Sequence, residues 1–204
     1  MSERKRERPK DLRQACLAEA YGIVAESGPE KLSLREVARR LGVSHQAPYK
    51  HFPSRDHILA EIIARSFRDF AAFLNRRSAT PSGEADLCAM GRAYIDYARE
   101  KPLNYRLMFN TALPPAAEHP EMMADARHAF SILHERLRRA HAPLDAAGAR
   151  RVKFDALYIW STLHGLASIL ESDVLPSIDF SEDELREAAE QVLDRLGGPP
   201  TPEP

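Results

Sequence analysis

The chain has little cysteine, little glycine, no long apolar run and almost no net charge. Two cysteines in 204 residues, Cys16 and Cys88, exclude a disulfide framework. Each sits in a helical pattern, where a thiol serves as a small core residue in a reducing cytosol. Nine glycines amid abundant Ala, Leu, Arg and Glu, with no alternating β-branched run, set the class as all-α. No apolar stretch approaches the roughly 20 residues that cross a bilayer, and the N-terminus has no apolar signal region. A cytoplasmic protein is expected. Catalytic signatures are missing as well: there is no H-E-x-x-H, C-x-x-C, G-x-S-x-G or phosphate-cradling glycine loop. His128, His134 and His141 fall six and seven apart, not at the i, i+4 spacing of a helical zinc site. Neither an enzyme, a cofactor nor a metal is expected.

The net charge of −1 conceals an asymmetry. Residues 1–57 hold 12 Lys/Arg against 8 Asp/Glu, and residues 58–204 hold 17 against 22. A basic head on an acidic body fits a nucleic-acid-binding domain joined to a regulatory one.

What is present centres on Ser33–Phe52. Ser33 followed by Glu36 forms a capping box. Leu34, Val37, Ala38 and Leu41 then repeat at helical spacing, and Gly42 suits the left-handed residue that ends a helix. Ser44 is placed to cap a second short helix. That helix is rich in hydrogen-bonding side chains, His45, Gln46, Tyr49, Lys50 and His51, suited to phosphates and base edges. Helix, tight turn, helix is the arrangement that lays a second helix in the major groove.

Residues from about 12 to 63 resemble the DNA-binding domain of TetR-family transcriptional regulators. The resemblance rests on Gly28 closing the first helix, S-L-R-E-V-A from Ser33, L-G-V-S from Leu41, Y-K-H-F from Tyr49 and S-R-D-H-I-L from Ser54. Two positions depart from the family pattern. Leu32 stands where a small polar residue is common, and Pro48 where leucine is more frequent. Proline removes one amide and disfavours helical dihedrals at Ala47. Either the second helix starts at Ala47 or Pro48, or its first turn is distorted. Tyr49, Lys50 and His51 are therefore the leading candidates for DNA contact, supported by Ser33, Arg35, Ser44, His45, Gln46 and Arg55. The resemblance implies a phosphate contact for Arg55.

The chain divides into a DNA-binding domain at 1–57, with its helix-turn-helix at about 34–52 and a basic arm at 1–10. A helical regulatory and dimerisation domain follows at 58–196, and a proline-rich tail at 197–204. The first helix runs from about Pro9–Asp11 to Ser27, and the fourth begins at Ser54 and extends toward Arg77. Prolines at the edges of the periodic segments divide the rest into helices at about 84–100, 103–111, 120–141, 145–172 and 181–196.

Helix 145–172 is the most apolar and broad enough to face both its own domain and a second subunit. With 181–196 it makes the four-helix dimer contact that the resemblance implies. W-S-T-L-H-G from Trp160 resembles the Trp-His-Gly signature of one C-terminal subgroup. Packing of all three residues is one reading, with close helix approach a sufficient reason for Gly165; ligand contact by His164 is the other. Met90, Tyr94, Tyr97, Met108, Phe109, Phe130, Trp160 and His164 are the candidates to line an apolar pocket with a few polar handles. The resemblance implies a dimeric regulator, usually a repressor, that leaves a two-fold related operator when a small-molecule effector binds. The alternative is a helical small-molecule carrier or enzyme whose helix-turn-helix is only scaffold.

Overall fold

The computed structural model describes residues 11–77, 83–140, 145–172, 177 and 180–197. The basic arm at 1–10 and the tail at 198–204 lie outside the described residues. Every regular element among the described residues is helical.

Local chemistry sets the helix ends in the N-terminal half. Helix α1 spans Leu12–Ser27, opened by the Asp11 carboxylate accepting from the Gln14 amide at 3.0 Å. It closes at Gly28, whose φ of +83° favours glycine. A 3₁₀ turn at Pro29–Lys31 leads to α2, Leu34–Leu41. The capping serine is in place: Ser33 Oγ accepts from the Glu36 amide at 3.1 Å. Gly42 is left-handed at φ +66°, and the Val43 amide reaches back to the Ala38 carbonyl at 3.1 Å, ending α2 in a Schellman-type turn.

The second helix of the motif departs from expectation. After Ser44 the chain makes successive turns, and only Pro48–Lys50 forms one 3₁₀ turn. No side chain caps it; the Ser44 backbone carbonyl accepts from the Ala47 amide at 2.9 Å instead. Pro48 supplies no amide and is itself buried, so the segment anchors through its proline ring and Phe52 while its polar residues stay outside.

Helix α3 runs Arg55–Arg77, with the Ser54 hydroxyl accepting from the His57 amide at its start. Then come α4 (Gly83–Glu100), α5 (Pro102–Phe109), α6 (Pro120–Ala140), α7 (Ala146–Leu170) and α8 (Glu182–Gly197). Asp145 caps α7 by accepting from the Gly148 amide at 2.7 Å.

The chain packs as two compact units. The first joins the described residues up to Phe67 with Arg106–Ala126. Its core holds Cys16, Leu17, Ala20, Ile23 and Val24 from α1, with Leu32, Leu34, Val37, Ala38, Phe52, Ile58, Ile62 and Ile63. Leu32, the departure from the family pattern, is thus a core residue. The second unit joins Arg68–Tyr105 with the residues after Ala126. There α4 packs on α7 and α8. The close approach falls at Gly91, where a Cβ would lie 2.7 Å from Leu193 Cδ2. Gly165 has no such role: a Cβ there would meet nothing within 4 Å.

Candidate nucleic-acid interface

In the first unit, α1 and α2 cross while the turns after Gly42 fold back on both. Burying Leu34, Val37 and Ala38 turns Ser33 and Arg35 outward; burying Pro48 and Phe52 does the same for His45, Gln46, Tyr49, Lys50 and His51. Arg35, His45, Gln46 and Tyr49 line one open groove of about 410 Å³. Ser44, Lys50 and His51 are exposed on the same stretch of turns.

Arg55 is only half-exposed. Its Nη1 donates to Asp56 at 2.8 Å and its Nη2 to the Pro29 carbonyl at 2.7 Å. The guanidinium therefore ties the start of α3 to the turn before α2, with its other donors remaining.

The electrostatics of the head separate three neighbouring arginines. Arg39 donates twice to the Glu36 carboxylate, at 2.6 and 2.7 Å. Arg40 meets Glu36, Glu19 and Glu26. Hydrogen bonds from Arg39 and Arg40 hold the Glu36 carboxyl down to about 2. Arg35 forms no ion pair among the described residues.

Sequence reasoning missed His119. It is buried in the first unit, its ring edge-to-face with His57 at 4.9 Å, and its Nε2 has no hydrogen-bond partner among the described residues. His57 in turn shares a 2.9 Å hydrogen bond with the Ser54 hydroxyl. With Phe109 edge-on to Phe67 at 6.0 Å, these contacts seat Arg106–Ala126 within the head. His119 lies 62 positions from His57, so no local pattern announces the pair.

Two matches decide the family. Residues 17–62 match the family described as bacterial regulatory proteins, tetR family, and residues 87–196 match the tetracyclin repressor-like C-terminal domain. The chain belongs to the tetR family. It is a DNA-binding transcriptional regulator of the helix-turn-helix type. It is 27% identical over 189 residues to an uncharacterized HTH-type transcriptional regulator of Mycobacterium tuberculosis, Rv0681, covering 89% of this chain and 83% of that one. It is 30% identical over 135 residues to the HTH-type transcriptional repressor KstR of Mycolicibacterium smegmatis, covering 65% of this chain and 59% of that one. Among solved structures, the regulatory protein SCO4313 superposes with a TM-score of 0.76 at 25% identity, over 97% of this chain and 100% of that one.

In the second unit of this TetR-family regulator, part of the proposed pocket lining comes together. The Tyr105 hydroxyl lies 2.7 Å from His164 Nδ1, and the Tyr94 hydroxyl 3.4 Å from the same nitrogen. With the hydroxyl donating, Nδ1 accepts, which puts the proton of the neutral ring on Nε2. Burial pushes both phenols up and the imidazole below its ordinary range, so the cluster is uncharged near neutrality. Trp160 stands beside His164 at 6.4 Å and edge-on to Phe130 at 5.6 Å. Met90 is buried in α4. Tyr97, also buried, packs on Phe70 at 4.9 Å and donates to Asp69 at 3.2 Å. Met108 and Phe109 fall in the first unit.

Among the described residues no three His, Cys, Asp or Glu side chains are gathered to hold a metal ion, and no helix is long and apolar enough to cross a membrane. Both cysteines are free thiols, Cys16 buried and Cys88 half-buried.

Proposed function

We propose that this protein is a homodimeric repressor that grips a two-fold related operator and releases it when a small molecule binds the helical unit. The observation that carries the reading is the groove of Arg35, His45, Gln46 and Tyr49, flanked by exposed Lys50 and His51. Tyr49, Lys50 and His51 make the leading contacts to phosphates and base edges. Ser33, Arg35, Ser44, His45 and Gln46 support them, and Arg55 meets phosphate with its remaining donors.

The surface of α7 supports a dimer. Val152, Ala156, Ile159, Leu163 and Ala167 face the core, yet Phe154, Leu157 and Tyr158 on the same helix are 59%, 53% and 66% exposed. An apolar stripe of this width on a single chain marks a protein contact. A second copy, meeting α7 and α8, supplies the second reading head that a two-fold operator needs.

For the effector, Tyr94, Trp160 and His164, joined by Tyr105, offer uncharged hydrogen-bonding groups among aromatic rings. The effector weakens DNA binding by its differential affinity for two settings of the heads, and by no more than that. The protein acts in the cytoplasm and catalyses nothing.

The test is a binding titration of the purified protein on DNA flanking its own coding region, with an unrelated duplex as competitor. Tight binding that survives competition and protects a two-fold related site is expected. Ligand binding by a folded protein that shows no sequence-specific DNA shift would replace this reading with that of a carrier.

A further inference from the structure

Helix α2 carries three arginines within six residues, Arg35, Arg39 and Arg40, and their surroundings differ. The Arg40 guanidinium fans out to three carboxylates on two helices. Its Nε donates to Glu36 at 3.0 Å, its Nη1 to Glu19 at 3.4 Å and its Nη2 to Glu26 at 2.8 Å. Glu19 and Glu26 stand two turns apart on one side of α1, and Glu36 is in the first turn of α2. A lone exposed ion pair contributes little to stability. This arrangement is different in kind: the Arg40 side chain is 25% exposed, and its planar fork fixes direction as well as distance. Hydrogen bonding to Arg40 also lowers the Glu26 carboxyl, so the bridge favours the ionised form. Arg35, on the outward face of α2 and lining the groove, makes no such pair.

We propose that Arg40 is a positioning residue for DNA reading. It does not touch the operator; it fixes the rotation of α2 on α1, and through α2 the setting of Arg35 and of the turns from Gly42 to Lys50. The proposal rests on the groove being the DNA-binding surface. A phosphate contact and a positioning bridge differ in salt dependence. Each neutralised phosphate contributes about 0.9 to the slope of log affinity against log salt. A bridge contributes nothing to that slope, yet its loss lowers affinity at every salt concentration.

The test uses the full-length protein on the protected operator fragment, titrated across a range of salt, with Arg40→Gln, Arg40→Lys and the double variant Glu19→Gln/Glu26→Gln. Arg40→Gln is expected to weaken binding roughly tenfold at each salt with the slope unchanged. Arg40→Lys should not restore it, because an ammonium is a point charge without the fork. The double glutamine variant opens the bridge from α1 while making the head more basic. Charge alone would tighten its grip on DNA, whereas the bridge predicts weaker binding, and this variant carries the test if Arg40→Gln does not fold.

Three results would overturn the role: a slope lowered by about 0.9 with rescue by lysine, tighter binding by the double variant, or unchanged affinity of folded Arg40→Gln. Wild-type protein that protects no site would overturn the DNA-binding reading itself. Lys50→Ala, which should weaken binding with a lowered slope, identifies the operator complex in the same assay.

Discussion

Arg55 Nη2 donates to the Pro29 carbonyl at 2.7 Å, tying the first residue of α3 to the turn that precedes α2. A residue proposed to meet phosphate thus also braces the head. Arg55→Ala is expected to lower stability by roughly 1 kcal/mol, a modest figure because the side chain is partly exposed. Operator affinity should fall in the same variant. Urea unfolding checks the first effect, as a shifted midpoint at unchanged slope, and operator titration the second.

Two glycines should respond to alanine with opposite signs. At Gly42 the φ of +66° forces a side chain into the left-handed region, although there is space around it. Gly42→Ala is expected to destabilise by about 1 kcal/mol. Gly165 sits inside α7 with open space where its Cβ would be. Gly165→Ala should stabilise by about 0.5–1 kcal/mol through helix propensity. Comparing their urea midpoints with wild type decides both.

How much of this is legible in the chain depends on the range of the interaction. The caps at Ser33 and Gly42 are legible because donor and acceptor lie three to five residues apart. Pro48 announces a disturbance of the second helix, but not that a single 3₁₀ turn remains, which follows from burying the ring beside Phe52. The bridge at Arg40 is invisible, because Glu19 and Glu26 are 21 and 14 residues away and any surface helix is rich in glutamate. Close approach is expected at Gly165, inside an apolar run, yet tertiary packing puts it at Gly91. Of the eight side chains proposed as pocket lining, Tyr94, Trp160 and His164 come together, with His164 meeting Tyr94 and Tyr105 through hydrogen bonds and Trp160 through a ring contact. Helical spacing offers such candidates but not which of them meet, because α7 lies far along the chain from α4 and α5.

Acid should act on the fold in two windows. Burial lowers the proton affinity of His164, so the folded state holds the neutral ring while the unfolded chain titrates in the ordinary imidazole range. The unfolded state then binds more protons as pH falls below that range, and the stability His164 contributes above it is lost on acidification. The Glu36 carboxyl, held down to about 2 from 4.5 by Arg39 and Arg40, contributes stability that is present above 4.5 and lost as pH falls toward 2. His164→Gln should flatten the loss of unfolding free energy as pH falls below the ordinary imidazole range and leave the lower, carboxylate window intact. A series of urea denaturations over pH measures this.

The exposed face of α7 predicts that Tyr158→Glu or Leu157→Glu gives a monomer in sedimentation. Each should weaken operator binding by roughly two orders of magnitude, since joining two heads multiplies affinity without new contacts. A variant that stays dimeric would move the interface away from this face.

The most direct measurement compares Arg35→Ala with Arg39→Ala in operator titrations over salt. Both remove one positive charge from the exposed surface of the same helix, but Arg35 lines the groove without an ion pair, whereas Arg39 is held by Glu36. The account predicts that Arg35→Ala weakens binding and lowers the salt slope by about 0.9 if it meets phosphate, or relaxes the preference for one base pair if it meets a base edge. Arg39→Ala should change neither. Operator binding insensitive to Arg35 but lost with Arg39 would contradict the groove as the DNA-reading surface.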